Sequence, residues 1–312
     1  MIKKVLYFDS GDGKSKIYAV QYKPKDKMVL GVIQILCGMA EHVERYEAFA
    51  ENMVKKGFVV TGHDYQGHGR TLIEGAVPGY FCEEDPATVV VEDVHILHQL
   101  TAQEYPAVPY ILMGHSMGSF VARNYMNRYG KELSAVVLLG TAMQRKGLIL
   151  FGKTVNGIQK LLFGLKHVSK FLNHLSFGGN VKHFQPVRTP SDWLTRDERI
   201  IDLYNADPLC GFLFTVNGFE ALFELITRMN RIEDMHNIPK ELPVLIMAGS
   251  EDPVGDFGKG PEKLYNLLNK VGLTNVHFQL YEGDRHELLN EINRESIMTD
   301  IYEWIDKKLF KS

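Results

Sequence analysis

Three cysteines in 312 residues, Cys37, Cys82 and Cys210, stand far apart and form no C-x-x-C pair. That pattern excludes a disulfide framework and a cysteine-rich zinc module, and it favours a reducing compartment. No apolar run reaches the roughly 18 residues that a membrane-spanning helix needs. The start, Met1-Ile2-Lys3-Lys4-Val5, runs straight into alternating residues without an apolar signal region. These absences together predict a soluble, cytoplasmic protein. Charge of one sign is also missing: 35 Lys and Arg face 38 Asp and Glu, a net charge of −3, so nothing global points to nucleic acid. One local absence stands out. Between Leu133 and Ser191 there is no acidic residue, and that segment carries +8, leaving −11 for the rest.

What is present alternates between two periods. Val5–Phe8 and Lys16–Tyr22 read as strands joined through Gly11-Asp12-Gly13. The adjacent Gly13-Lys14-Ser15 imitates the tail of a phosphate-binding loop. That motif needs a glycine where Phe8 stands and a helix where Ile17–Val20 alternates, so a turn is expected instead. Further strands are expected at Met28–Leu36, Phe58–Thr61, Tyr110–Met113, Ser134–Gly140, Leu242–Gly249 and Val276–Tyr281. Helices are expected at Val43–Lys56, from Asp85-Pro86 to Glu104, directly after Ser116, at Gly260–Val271 and at Arg294–Leu309. Strands alternating with helices predict a mostly parallel sheet flanked by helices, with chemistry at the carboxyl ends of the strands. The alternation breaks between β-like segments, so residues 142–235 are expected to form a helical cap on a core of residues 1–141 and 236–312.

Within that segment Val155, Ile158, Leu162, Leu165, Val168, Leu172 and Leu175 recur every three or four residues, with Lys153, Lys160, Lys170 and His174 opposite. The expectation is a lid whose apolar face packs over the core. A basic amphipathic helix can also touch an anionic lipid surface transiently. His95 and His98, three apart on a helix, lack a third ligand nearby in sequence and are expected on a solvated face. His63 and His68 flank a Gly-rich turn and are expected to be structural. No metal or cofactor is expected.

The chemistry centres on Gly114-His115-Ser116-Met117-Gly118, which follows a short apolar run and precedes a helical pattern. A serine hydroxyl is a poor nucleophile unless a sharp strand-to-helix turn lifts it beside a base. The base is expected after the last strand, where Tyr281-Glu282-Gly283-Asp284-Arg285-His286 supplies His286. The acid is expected after the preceding strand, where Ser250-Glu251-Asp252-Pro253 supplies Asp252. Glu251 and Asp256 are close by, and position alone favours Asp252. The order Ser116, Asp252, His286 is that of strand-elbow serine hydrolases. Two backbone donors for an oxyanion are expected from Met117 and from Met39, in the loop after the Met28–Leu36 strand.

Four stretches taken together carry a resemblance. Cys37-Gly38-Met39-Ala40-Glu41-His42 with Arg45-Tyr46, Asp64-Tyr65-Gln66-Gly67-His68-Gly69-Arg70, the Ser116 pentapeptide, and Asp252 with His286 resemble the monoacylglycerol lipase and lysophospholipase group of α/β-hydrolases. The resemblance covers nearly the whole chain and is weakest over residues 144–233. It implies an α/β-hydrolase fold, a Ser116–Asp252–His286 triad, and Met39 and Met117 as oxyanion donors. Glu41 and Arg45 match positions near the group's polar alcohol-binding pocket, and His115 joins them as a substrate-binding candidate. The group usually has histidine where Cys37 stands, a departure that leaves a backbone donor intact. The implied activity is hydrolysis of a small-molecule ester or lipid, of acyl-glycerol or lysophospholipid type, through an acyl-enzyme; the basic cap, read from the residues, adds a transient membrane contact and could favour a phosphate-bearing head group. An aminopeptidase or amidase on the same fold, with Glu41 facing a substrate amine, is the alternative. A non-catalytic binding protein is a third reading. Acyl length, head group and oligomeric state are not legible in the sequence.

Overall fold

A computed structural model of the chain describes residues 1–72 and 75–311. Its centre is one eight-stranded sheet in the order β1-β2-β4-β3-β5-β6-β7-β8. The strands are β1 (Ile2–Asp9), β2 (Lys16–Lys23), β3 (Gly31–Leu36), β4 (Phe58–His63), β5 (Tyr110–His115), β6 (Ala135–Leu139), β7 (Val244–Gly249) and β8 (Val276–Tyr281). β1 and β2 pair antiparallel, as do β2 and β4, and every other pairing is parallel. β3 to β7 are buried along their whole length. Both faces of such a sheet are covered, which is why these strands are continuous apolar runs without alternation.

The helices are α1 (Glu47–Lys55), α2 (Pro86–Glu104), α3 (Met117–Tyr129), α4 (Lys146–Phe163), α5 (Lys170–Phe177), α6 (Glu198–Ala206), α7 (Val216–Met229), α8 (Ile232–Met235), α9 (Lys259–Lys270) and α10 (Arg294–Leu309). α2 starts as the sequence predicts: the Asp85 side chain accepts from the Thr88 N–H and Pro86 fills the first turn. Gly13-Lys14-Ser15 is indeed a turn. Asp12 Oδ1 accepts the Lys14 and Ser15 N–H groups at 2.8 Å each, and Asp9 pairs with Lys16 across it.

The sheet runs from β3 outward in two directions, to β4 on one side and to β5 on the other. Ligands bind at such switch points because the loops leaving adjacent strands diverge there and open a crevice. The register aligns the strand ends: Leu36 lies opposite Gly114, His115 opposite Leu139, and Gly249 opposite Tyr281. The loops carrying Gly38, Ser116, Asp252 and His286 therefore leave along one edge of the sheet.

Five helices, α4 to α8, lie between β6 and β7. Here the structure departs from the sequence reading. The predicted single amphipathic stripe is divided, because α4 ends at Gly164 (φ +80°) and α5 begins only at Lys170. Only part of its apolar side packs on the core, where Leu172 is fully buried and Val155 half-buried. Ile158, Leu162, Val168 and Leu175 are exposed, and Leu161 beside them is 87% exposed. The side bearing Lys153 and Lys160 faces the protein instead. The two ammonium groups reach Glu224 and Glu220 on α7 at 2.7 and 2.9 Å. The periodicity was visible in the sequence, but the acids that neutralise the lysines lie 71 and 60 residues away.

The α2 histidines also differ from expectation. His98 is buried, and both rings stack on tyrosines at 3.8 Å, His95 on Tyr129 and His98 on Tyr110. Burial lowers the His98 pKa to about 4. His63 and His68 are buried too, lowered by burial to about 3 and 4, so both are neutral structural rings near pH 7.

Candidate active site

The site begins with strained backbone at the serine, flanked by two glycines. Ser116 has φ 51° and ψ −119°, a strained geometry at the junction of β5 and α3. A Cβ on Gly114 would lie 2.3 Å from the Gly118 carbonyl oxygen, and one on Gly118 would lie 2.0 Å from the Leu36 carbonyl oxygen. The two glycines let helix and strand cross at this distance. The crossing aims Ser116 into a crevice while its own N–H stays bonded to the Leu139 carbonyl at 3.0 Å.

His286 and Asp252, 34 residues apart in sequence, meet at the end of β7 and β8. His286 Nδ1 lies 2.9 Å from Asp252 Oδ2, and both side chains are buried. The other Asp252 oxygen accepts the Val254 N–H at 2.9 Å, which fixes the carboxylate. Glu251 and Asp256, the neighbouring candidates, are exposed and turn away. Gly140, at φ +55°, lies under the imidazole: a Cβ there would sit 3.1 Å from His286 Nδ1 and Cε1. Trp193 covers the ring at 5.1 Å between centroids. The Nε2 of His286 has no hydrogen-bond partner among the described residues, and His286 and Ser116 line the same cavity.

Met117 opens α3, where a first-turn N–H has no intrahelical acceptor. Among the described residues neither Met39 N–H nor Met117 N–H donates to another group. Both residues border Ser116 along an apolar cavity of about 120 Å³, with Phe120, Ile149 and Phe223 further in. A second, more polar cavity of about 360 Å³ also reaches Ser116, lined by Glu41, His115, Trp193, Tyr204, His286 and Glu287 among others. The serine stands where the two meet.

Glu41, Arg45 and His115 form one buried network. Glu41 Oε1 accepts the Gly38 N–H and the Tyr46 hydroxyl (2.8 Å), with His115 Nδ1 at 3.2 Å, and its other oxygen faces Arg45. Arg45 then holds Glu287 with two bonds of 2.9 and 2.7 Å. Burial alone would raise the Glu41 carboxyl, but Arg45, His115 and Tyr46 hold it well below the usual carboxylate range. Glu287 is likewise held low by Arg45 against its burial. Burial pulls the His115 pKa down, and its bond to Glu41 more than reverses this, so the net shift is upward. Arg45 therefore does not border either cavity; it stacks on Tyr204 at 4.8 Å and braces the loop behind them. Glu287 and Trp193 escaped the sequence reading. Glu287 directly follows the candidate base, a signal that was available; Trp193 has none, since it comes from the helical segment between β6 and β7.

Comparisons with known proteins bear on the fold and the enzyme class. The Hydrolase_4 family, described as "Serine aminopeptidase, S33", matches residues 27–293. The chain is 28% identical over 276 residues to a monoacylglycerol lipase of Mycolicibacterium smegmatis, covering 88% of each protein. It is 28% identical over 276 residues to human monoglyceride lipase, covering 87% of this chain and 80% of that protein. Among solved structures, a thermostable carboxyl esterase from Bacillus coagulans in complex with glycerol superposes with a TM-score of 0.89 at 28% identity, covering 99% of both chains.

Proposed function

The chain belongs to the Hydrolase_4 family, and from that premise we propose that it is a serine ester hydrolase acting on monoacylglycerols. The observation that carries this reading is the position of Ser116 between an apolar and a polar cavity. The apolar cavity takes the carbonyl end of an acyl chain, and the larger, more polar one has room for a glycerol head. Ser116 Oγ attacks the ester carbonyl while His286 Nε2 accepts its proton, with Asp252 holding the tautomer and stabilising the imidazolium. The N–H groups of Met39 and Met117 receive the oxyanion. His286 returns the proton to the leaving glycerol oxygen, and a water activated by the same base then releases the fatty acid.

Two rivals fare less well against the polar cavity. No lysine or arginine lines it, so a phosphate-bearing head group would meet no cation. An aminopeptidase would need a free carboxylate for the substrate amine, and both candidates, Glu41 and Glu287, are already bonded to Arg45. Three substrates test the reading: a monoacylglycerol, the lysophosphatidylcholine of equal chain length, and an aminoacyl-naphthylamide. The monoacylglycerol is expected to give the highest kcat/KM. Naphthylamide turnover above ester turnover would move the chain to the aminopeptidase reading.

Residues 142–235 act in this proposal as the cap over both cavities. Among the described residues no helix is long and apolar enough to cross a membrane. The exposed Leu150, Phe151, Leu161, Leu162 and Phe163 of α4 instead offer an apolar surface for transient contact with a lipid interface. Lys153 and Lys160 are paired internally while Arg145, Lys146, Lys166 and Lys170 stay exposed, and in this proposal the apolar residues are the main source of the contact. Wild-type protein is therefore expected to co-sediment with neutral phosphatidylcholine vesicles, and Leu161→Glu/Leu162→Glu to remain in the supernatant. Binding that requires anionic lipid would restore the basic-surface expectation.

A further inference from the structure

Outside the proposed active site, one group of side chains combines three metal-ligating chemistries. His42 leaves the loop after β3, while Asp207 and Cys210 lie on the turn that follows α6. One ligand atom from each, an imidazole nitrogen, a carboxylate oxygen and a sulfur, lies within 4.8 Å of the others. His42 Nε2 is 2.9 Å from Asp207 Oδ2. Asp207 Oδ1 is occupied by the Leu209 N–H at 2.8 Å, so Oδ2 is the oxygen turned to the cluster. The His42 side chain is nine-tenths buried, and its Nδ1 is buried with no partner among the described residues. The ring's one hydrogen bond points towards Asp207. Cys210 is partly exposed and free, so solvent ions can reach it.

We propose that His42, Asp207 and Cys210 form a binding site for a soft divalent cation such as Zn2+. The donor set argues for that class. Three mixed N, O and S ligands with a fourth position open to water suit a tetrahedral zinc-like ion, whereas Mg2+ and Ca2+ prefer oxygen alone. Bonds of about 2.0–2.3 Å need the three atoms drawn closer together, a movement the partly exposed Cys210 and Asp207 side chains allow. On binding, the His42 proton now shared with Asp207 moves to the unpartnered Nδ1, and the freed Nε2 lone pair, the ionised Asp207 carboxylate and the Cys210 sulfur bond to the ion. The thiol proton leaves to solvent, and no electron transfer is involved.

The site's position gives it a consequence. The Gly211 N–H donates to the Ala40 carbonyl at 2.9 Å, and Ala40 holds φ 55° directly after Met39. Met39 and Gly211 both line the polar cavity. An ion at His42, Asp207 and Cys210 clasps the turn after α6 to the loop that carries the proposed oxyanion donor, across the boundary between cap and core.

Co2+ reports on the geometry because a tetrahedral thiolate complex gives intense visible bands and a near-ultraviolet sulfur charge-transfer band. Titrating the reduced full-length protein with Co2+ is expected to give both bands at one equivalent, with displacement by Zn2+. Cys210→Ser is expected to abolish the charge-transfer band, and His42→Gln to weaken binding more than about 10-fold. One equivalent of Zn2+ should raise the thermal midpoint of wild type and leave that of Cys210→Ser unchanged. Cys37 and Cys82 are buried and give no alternative thiolate. The remaining cluster among the described residues, His95, His98 and Glu132, contains no sulfur. Weak octahedral-type absorption only, or the same charge-transfer band in Cys210→Ser, overturns the proposal. So does binding that is lost in His98→Gln and kept in His42→Gln.

Discussion

Replacing Ser116 by alanine is expected to lower kcat for ester hydrolysis by on the order of 10⁵–10⁶-fold while leaving the fold intact. The side chain removed is a single hydroxyl, and the strained backbone that presents it is held by other means. Gly114 and Gly118 set the crossing of β5 and α3, and the Ser116 N–H remains bonded to the Leu139 carbonyl. Alanine keeps both features, so the thermal midpoint should stay within a degree or two. Without Oγ there is nothing for His286 Nε2 to deprotonate, and no acyl-enzyme forms. Asp252→Asn gives a graded comparison. An amide at that position reverses the hydrogen-bonding demand on His286 Nδ1, favours the wrong tautomer, and should cost roughly 10⁴-fold. The checks are steady-state turnover of a monoacylglycerol and covalent labelling by a fluorophosphonate probe. Wild type should label and Ser116→Ala should not. Turnover by Ser116→Ala within tenfold of wild type would remove Ser116 from the chemistry altogether, and an unlabelled wild type would favour a binding protein.

The second large effect falls on stability. Arg45→Met is expected to destabilise the protein by about 3–5 kcal/mol, because it leaves two buried carboxylates facing each other without their shared cation. Glu41 and Glu287 are 3% and 4% exposed, so water cannot take the place of the guanidinium. Arg45→Lys should rescue little. A single ammonium cannot reproduce the two bonds to Glu287 together with the contact to Glu41. Arg45→Met/Glu287→Leu should recover part of the loss, since one of the stranded charges is then absent. Denaturant unfolding near pH 7 measures all three variants, and an Arg45→Met protein within 1 kcal/mol of wild type would contradict the account. The sign with pH follows from the two carboxyl groups. Both are held below their unfolded values, so their contribution is fully present above about pH 4–5 and is lost as pH falls further. Arg45→Met should therefore differ from wild type less in acid than at neutrality. Activity should fall with it, because Glu41 also accepts the Gly38 N–H and so shapes the loop that presents Met39.

Much of this arrangement was legible in the chain itself. A parallel sheet announces its buried strands as continuous apolar runs, and β3 to β7 were placed within three residues at each end for that reason. The elbow was legible because its requirement is local: two glycines must lie two residues either side of a strained serine, whatever the rest of the chain does. The order Ser116, Asp252, His286 was legible because each residue lies in the loop or turn that leaves a strand's carboxyl end, and those ends lie on one edge of the sheet. Glu251, Asp252 and Asp256 could not be separated in sequence, where all three lie near one turn. The structure aims only Asp252 at His286 and leaves the other two exposed.

The helical segment shows the opposite case. Its periodicity was clear, yet which side faces the protein depended on Glu220 and Glu224, 60 and 71 residues from the lysines they bind. Amphipathicity defines two faces and does not say which one is covered. The resemblance puts Arg45 near the alcohol-binding pocket, but no local pattern shows its bidentate partner Glu287, 242 residues away. His42, Asp207 and Cys210 carry no common spacing at all. Sequence by itself determined what local backbone geometry and strand burial require: the parallel sheet, the serine elbow and the order of the candidate catalytic residues. The tertiary structure alone decided which charges meet, which face of α4 is open and where two cavities converge. Those outcomes depend on contacts between distant segments, and no local pattern in the chain encodes them.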